Sequence, residues 1–223
     1  MIKTKRAISI LTGMILGDAY LTKPKPNCVS IGITHSIKQK EYLIHKRNIL
    51  EEIFEKKINV HEFDNSGYPG CRIQFGNKYF RPLRKFIYPN GIKTFSKKVL
   101  NRLDAEGIAY WYMDDGNIAL HRSKSGETYK SREIYLNTYV PYEEALLIKD
   151  FFYERYGVEF RLAPSKGWYR HICNTTNVKR FIHLVEPYII PSMQYKIDMK
   201  YKNKNQADVI SAQIALDEMS NKK

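Results

Sequence analysis

The chain has 223 residues, 43% of them apolar and 13% aromatic, enough to bury a substantial core and to exclude global disorder. Its 37 Lys and Arg against 23 Asp and Glu give a net charge of +14 and a pI near 9.5, which points to a polyanionic partner, either nucleic acid or an anionic surface. The surplus lies in residues 1–103, with 20 basic and 7 acidic side chains, whereas residues 104–223 carry only +1. Three scattered cysteines (Cys28, Cys71 and Cys173) contain no CxxC pair, so they support neither a zinc site nor a disulfide framework and fit a reducing compartment.

The apolar run Ala7–Gly17 follows Lys3, Lys5 and Arg6 but is too short to span a bilayer and meets Asp18 without a cleavage site. It reads as a buried helix. A polar loop (22–27) leads to an alternating strand at 29–36 and a helix over about 38–56, with Tyr42, Leu43, Ile49, Leu50 and Ile53 on its apolar face. Strands near 58–64 and 70–76 flank an Asn65-Ser66-Gly67 turn, and a short helix covers about 77–87. The order then repeats. A second apolar run, Ile108–Met113, ends in Asp114, Asp115 and Gly116, with Asp115 lying 97 residues after Asp18. Strands are expected near 117–123 and 132–139, then a helix from Pro141, with Glu143 and Glu144 in its first turn, to a stop at Gly157. Strands at 158–163 and 168–173 surround Lys166-Gly167, a helix spans 176–186, and 206–219 reads as a last helix.

This double αββαββα pattern implies an α+β fold of two pseudo-symmetric halves, 1–103 and 104–223, each with a four-stranded antiparallel sheet covered by helices on one face. The strand segments and their adjoining loops carry Lys23, Lys25, Arg72, Gln74, Arg122, Lys124, Arg132, Asn137, Arg161, Lys166 and Arg170. The acids of the second half fall largely in helices (Glu143, Glu144, Asp150, Glu154), so both free sheet faces read as basic surfaces suited to a nucleic-acid groove.

LTGMILGDA (11–19) and IAYWYMDDG (108–116) carry the chemistry. Each is an apolar helix presenting a carboxylate at its C-terminal end, where the helix dipole disfavours an anion and a hard divalent cation compensates. Gly13 and Gly17 on the first helix, with Ala109 and Tyr110 on the second, would let the two pack and bring Asp18 and Asp115 together. Paired carboxylates holding metals suit in-line phosphodiester hydrolysis.

These segments resemble the LAGLIDADG homing endonucleases of the monomeric, two-motif kind. The first keeps Leu11, Gly13, Ile15 and Asp18 of the nine-letter pattern, and the second keeps Ala109, Asp115 and Gly116. Tyr110 stands in place of a glycine, Leu16 in place of an aspartate and Ala19 in place of a glycine. Each half also ends in a lysine after a similar run, Lys93 in FIYPNGIKT and Lys196 in VEPYIIPSMQYK, 75 and 81 residues beyond its motif aspartate. LGDAY (16–20) and YLNT (135–138) are similar to family members as well, so the likeness runs from about Ile8 to Lys200.

The resemblance implies a two-helix LAGLIDADG interface between the halves. It also implies metal binding by Asp18 and Asp115, with Mg²⁺ as cofactor and Mn²⁺ as a substitute. Asp114 is the alternative to Asp115, but it is turned about 100° away on the helix. Lys93 and Lys196 are implied as catalytic groups near the scissile phosphates, and His35 is expected at the surface or in the solvent pocket around the nucleophile. The implied activity is a double-strand break across the minor groove of a long, asymmetric DNA target, leaving short 3′ overhangs. The enzyme would be a monomer, freestanding or intron-encoded rather than an intein, and intracellular, in cytoplasm or an organelle, with no membrane partner. An intron RNA maturase and a non-cleaving regulator on the same fold are the alternatives; neither needs Asp18, Asp115, Lys93 and Lys196 together.

Overall fold

The computed structural model describes residues 4–24, 28–122 and 129–199, with side chains outside 120–131. In chain order come α1 (Lys5–Leu16), β1 (Tyr20–Leu21), β2 (Ser30–Ser36), α2 (Lys40–Phe54), β3 (Val60–Asn65), β4 (Tyr68–Gly76), α3 (Phe80–Ile87) and α4 (Lys97–Leu100). The second half continues with α5 (Ala105–Asp115), β5 (Gly116–Arg122), β6 (Tyr129–Val140), α6 (Tyr142–Tyr156), β7 (Phe160–Ser165), β8 (Trp168–Cys173) and α7 (Thr175–Val185). Single 3-10 turns follow at Glu186–Tyr188 and Pro191–Lys196. The expected helix at 206–219 lies outside the described residues.

Two four-stranded antiparallel sheets form, ordered β1-β2-β4-β3 and β5-β6-β8-β7, the same topology twice. The duplication reaches the turns. Ser66 and Gly67 (φ +55° and +86°) close the β3–β4 hairpin, and Lys166 and Gly167 (φ +51° and +84°) close β7–β8. Two successive positive φ values are what a tight two-residue hairpin needs to follow the strand twist, and glycine adopts one without a Cβ clash.

Alternation decides which side of each sheet is buried. Ile31, Ile33, Ile73 and Phe75 point into the first core, where Phe54, Phe75 and Phe80 meet edge to face. Ile134, Leu136, Phe160 and Cys173 do the same in the second, under Phe152 and Phe181. Helix α6 is stopped by Gly157 at φ +61°, as its sequence implies.

The halves join along α1 and α5. Both are buried almost all round, α1 from Ser9 to Leu16 and α5 from Gly107 to Met113, because each is flanked by its own half and by the other helix. Asp104 caps α5 by accepting the Gly107 N–H (3.0 Å) and also accepts the Ser9 hydroxyl across the seam (2.6 Å). Arg6 closes the outer end with a two-pronged contact to Glu106 at 2.7 and 2.8 Å. The tightest approach is glycine on glycine: a Cβ at Gly13 would lie 2.7 Å from the carbonyl carbon of Gly107. Gly107, rather than Ala109 beside the bulky Tyr110 as the sequence implied, is therefore the small residue that lets the helices touch. No helix among the described residues is long and apolar enough to cross a membrane.

Candidate functional site

At the inner ends of α1 and α5, one residue past Gly17 on one side and at the last helical turn on the other, stand Asp18 and Asp115. The carboxylate of Asp114, the residue before Asp115, reaches across the seam to Asp18. Its Oδ2 accepts the backbone N–H of Asp18 at 3.0 Å, and its Oδ1 accepts from Lys46 of α2 at 2.5 Å. Asp114 is thus committed at both oxygens, with its side chain and that of Lys46 fully enclosed. Gly17 makes this possible, because a Cβ there would fall 2.6 Å from the Asp114 Cβ.

The two lysines expected near the phosphates are both drawn to these helix ends. Lys93 Nζ donates to the carbonyls of Leu16 (3.2 Å) and Gly17 (2.8 Å), and Lys196 Nζ donates to the carbonyl of Asp114 (3.0 Å). Each ammonium sits on carbonyls that a helix C-terminus leaves without a partner, in the negative end of the dipole. Burial pushes Lys196 down to about 8 and moves Lys93 downward too, while the surrounding aspartates pull both back up.

The two aspartates are held differently. Asp115 accepts the indole N–H of Trp111 at 3.2 Å, and its carbonyl accepts from Asn137 at 3.0 Å. Burial, then the charges of Asp114 and Asp18, pushes the Asp115 carboxyl up to about 7. Asp18 is 43% exposed at its side chain and is raised by burial and by Asp114. Its neighbour is His35, whose Nδ1 lies 3.6 Å from Asp18 Oδ2.

His35 is a correction to the surface position that the sequence implied: it is 6% exposed. Burial and then Lys46 hold it neutral, down to about 4. Lys46 also departs from what its residue type implies, since it occupies the apolar stripe of α2 between Tyr42 and Leu50. Its presence there among Tyr42, Leu43 and Leu50 was the one signal that could have marked it. Asn137, expected to read bases, instead serves the Asp115 centre and also donates to Asn117 at 2.9 Å.

On the open face of the first sheet, Arg72 and Gln74 are exposed beside Thr34, Gly32 and His61, as their register requires. Lys23 is exposed but lies past β1, not in a strand. Lys25 and Lys124 fall outside the described residues, as does the side chain of Arg122. In the second sheet Arg161 is exposed and pairs with Glu133 (3.1 Å), and Arg170 lies 5.0 Å over the Tyr135 ring. Glu133 shows that acids of this half are not confined to helices. Arg132 is a correction: it shares the parity of buried Ile134 and Leu136 and donates to the Met199 carbonyl at 3.2 Å, away from the open face. Lys166 is exposed at its hairpin tip.

The motif aspartates offer carboxylate oxygen, the hard ligand that Mg²⁺ or Mn²⁺ takes, with one imidazole beside them. Ligand atoms of Asp18, His35 and Asp114 lie within 4.8 Å of one another. Asp114 and His35 are nonetheless engaged by Lys46, so Asp18 and Asp115 remain the acids with oxygens to offer.

Comparison with known proteins agrees with this geometry. The chain is 28% identical over 200 residues to the probable intron-encoded endonuclease 1 of Wickerhamomyces canadensis, covering 84% of this chain and 81% of that protein. The structure of the homing endonuclease I-WcaI bound to its DNA recognition sequence superposes with a TM-score of 0.74 at 25% identity, over 89% of this chain and 88% of the other. The meganuclease I-AabMI bound to uncleaved DNA shares the fold at a TM-score of 0.55 and 13% identity, over 93% and 91% of the two chains. Residues 8–181, from the first apolar turn of α1 to the buried Phe181 of α7, match the LAGLIDADG DNA endonuclease family, and the chain belongs to it.

Proposed function

We propose that this protein is a site-specific, divalent-metal-dependent endonuclease that cuts both strands of a long asymmetric DNA target across the minor groove and leaves short 3′ overhangs. The observation that carries this reading is the juxtaposition of two motif aspartates, the half-buried Lys93 and the buried Lys196 at the crossed ends of α1 and α5, between two sheets that expose basic side chains. Asp18 serves one strand and Asp115 the other. A bound Mg²⁺ or Mn²⁺ supplies Lewis-acid stabilisation of charge and a more acidic water.

The chain's own groups do the rest. Trp111 Nε1–H and Asn137 fix Asp115, and Lys93 and Lys196 hold cationic charge beside each helix end, where charge develops on a transferring phosphoryl group. Arg72, Gln74 and the exposed basic residues of both sheets address base edges and phosphates in the major grooves flanking the cut. With a site in each half, one copy of the chain suffices and the protein acts as a monomer inside the cell, in cytoplasm or an organelle.

The test is incubation with Mg²⁺ and a DNA library of randomised or intronless-allele sequences. Wild type is expected to make double-strand breaks at one long site. Asp18→Asn and Asp115→Asn are each expected to bind that site and nick one strand only, opposite strands in the two variants. Tight binding of DNA or intron RNA with no cleavage in Mg²⁺ or Mn²⁺ would refute the nuclease reading and pass the function to a maturase or regulator.

A further inference from the structure

The two centres share topology but not their support. Helices α2 and α6 are both 15 residues long, and their seventh residues are Lys46 and Ile148. The motifs place Gly17 in the first half where Asp114 stands in the second. Strand registers pair Tyr20 with Gly32 and Asn117 with Tyr135, but beyond that point β6 shifts register between Leu136 and Val140, so the stretch that carries His35 in β2 is built differently in β6. Thr138 turns to His171 (3.2 Å) and to the Tyr169 carbonyl (3.3 Å). The first centre therefore has an acid and a lysine where the second has glycine and isoleucine, and a histidine from an unshifted strand where the second has a bulged one.

Those three side chains form one chain of contacts. Lys46 Nζ lies 2.5 Å from Asp114 Oδ1 and 3.1 Å from His35 Nε2, over the face of Tyr42 at 4.2 Å. A lysine ammonium only donates, so His35 Nε2 accepts and the imidazole proton resides on Nδ1, which lies 3.6 Å from Asp18 Oδ2, with the Gln39 side chain as a further hydrogen-bond partner of the ring. Meanwhile Asp114 Oδ2 holds the backbone N–H of Asp18. Asp18 is thus held at its backbone by Asp114, a residue of the other half, while His35, braced by the same lysine, stands 3.6 Å from its carboxylate.

We infer that Asp114, Lys46 and His35 form a positioning relay by which the second half sets the geometry of the Asp18 centre, so that cleavage of the strand served by Asp18 depends on it more than cleavage of the other. This rests on the nuclease reading above for its strand-specific consequence. A buried pair broken on one side leaves an uncompensated charge, so single variants are confounded by folding. The double variant Lys46→Met/Asp114→Asn removes both charges and keeps the volumes.

The experiment follows each strand of a labelled target separately, using the Asp18→Asn nick to identify the strand that Asp18 serves. In the double variant that strand is expected to be cut at least about tenfold more slowly, since small misplacements of reacting groups have large rate effects. The other strand should be slowed several-fold less, so a singly nicked product accumulates. Independently of metal and of cleavage, the ¹⁵N shifts of His35 in the free protein should report the Nδ1–H tautomer in wild type and a mixture in the double variant. Equal slowing of both strands, or no slowing, overturns the relay, as does an unchanged His35 tautomer. If wild type cuts no DNA, the nuclease reading fails separately and the tautomer measurement decides the relay by itself.

Discussion

Replacing Gly13 by alanine tests whether the α1–α5 crossing sets the site. The added methyl would lie 2.7 Å from the Gly107 carbonyl carbon and 3.0 Å from its Cα, with the carbonyl oxygen closer still. All three are backbone atoms of a buried helix, so no rotamer change relieves them. Restoring an ordinary carbon–carbon contact of roughly 3.5 Å requires the helices to part by about 1 Å. Overpacking of this kind costs about 1–3 kcal/mol, and for a chain of this size each kcal/mol lowers Tm by about 2–4 °C. The same displacement parts both helix ends and also stretches the 3.0 Å bond from Asp18 N to Asp114, so both strands should be cut more slowly, the strand served by Asp18 the more so. Calorimetry with strand-resolved cleavage provides the assay, with exposed Ile92→Ala as control. Because Gly13 and Gly107 share one contact, the Gly13→Ala/Gly107→Ala double variant should lose less stability than the two single losses combined. A Gly13→Ala protein with wild-type Tm and wild-type cleavage of both strands would refute the glycine crossing as the determinant of site geometry.

Further consequences follow from the charges. Asp115 has a folded-state value near 7, above its unfolded one, so its ionisation costs stability that grows from about pH 4 and is fully present above pH 7. Asp115→Asn should therefore raise the Tm of the metal-free protein at pH 8 and change it little near pH 4, measured by thermal melts across pH. Because a bound cation must displace the Asp115 proton, the divalent-metal concentration needed to cut the strand served by Asp115 should rise as pH drops below about 7, and a requirement unchanged down to pH 5 would contradict the placement. Lys196→Met strips the Asp114 carbonyl of its donor and should slow cleavage by roughly 10²-fold while DNA affinity shifts only a few-fold, separated by single-turnover kinetics and titration. Arg72→Ala or Gln74→Ala should relax preference at single base pairs by about 1–3 kcal/mol in competition binding, whereas Arg132→Ala, which faces Met199, should leave target preference unchanged.

The elements themselves were legible because their signals are local. The apolar stripe of α2, the alternation of β2 and the glycines closing both hairpins all fall within a few residues of where the sequence puts them. Strand β1 was not, since two residues carry no period; Tyr20 and Leu21 are strand only because Gly32 and Ile31 lie opposite. His35 and Arg132 were misread although alternation held the answer: His35 shares the parity of Ile31 and Ile33, and Arg132 that of Ile134. Residue type was allowed to outweigh position. The motif aspartates and terminal lysines were found through spacing, but the contact of Lys46 with Asp114 spans 68 residues and two halves, and no local pattern encodes it. Gly107 was missed because the helices cross out of register with their motif alignment, setting Gly13 against a residue outside the nine-letter segment.

Two-part nucleases invite exchange of halves to build new specificities, and the Lys46–Asp114 pair makes such grafting directional. Joined to a foreign second half with a small residue in place of Asp114, this first half would bury Lys46 without a counter-ion. Removal of one partner from a buried pair costs about 3–5 kcal/mol, a large share of a typical domain's stability. A foreign first half bearing an aliphatic residue like Ile148 at that point would strand Asp114 in the same way. Productive hybrids of this protein should therefore carry both members of the pair or neither, a compatibility rule set inside the seam rather than on the DNA-facing surface.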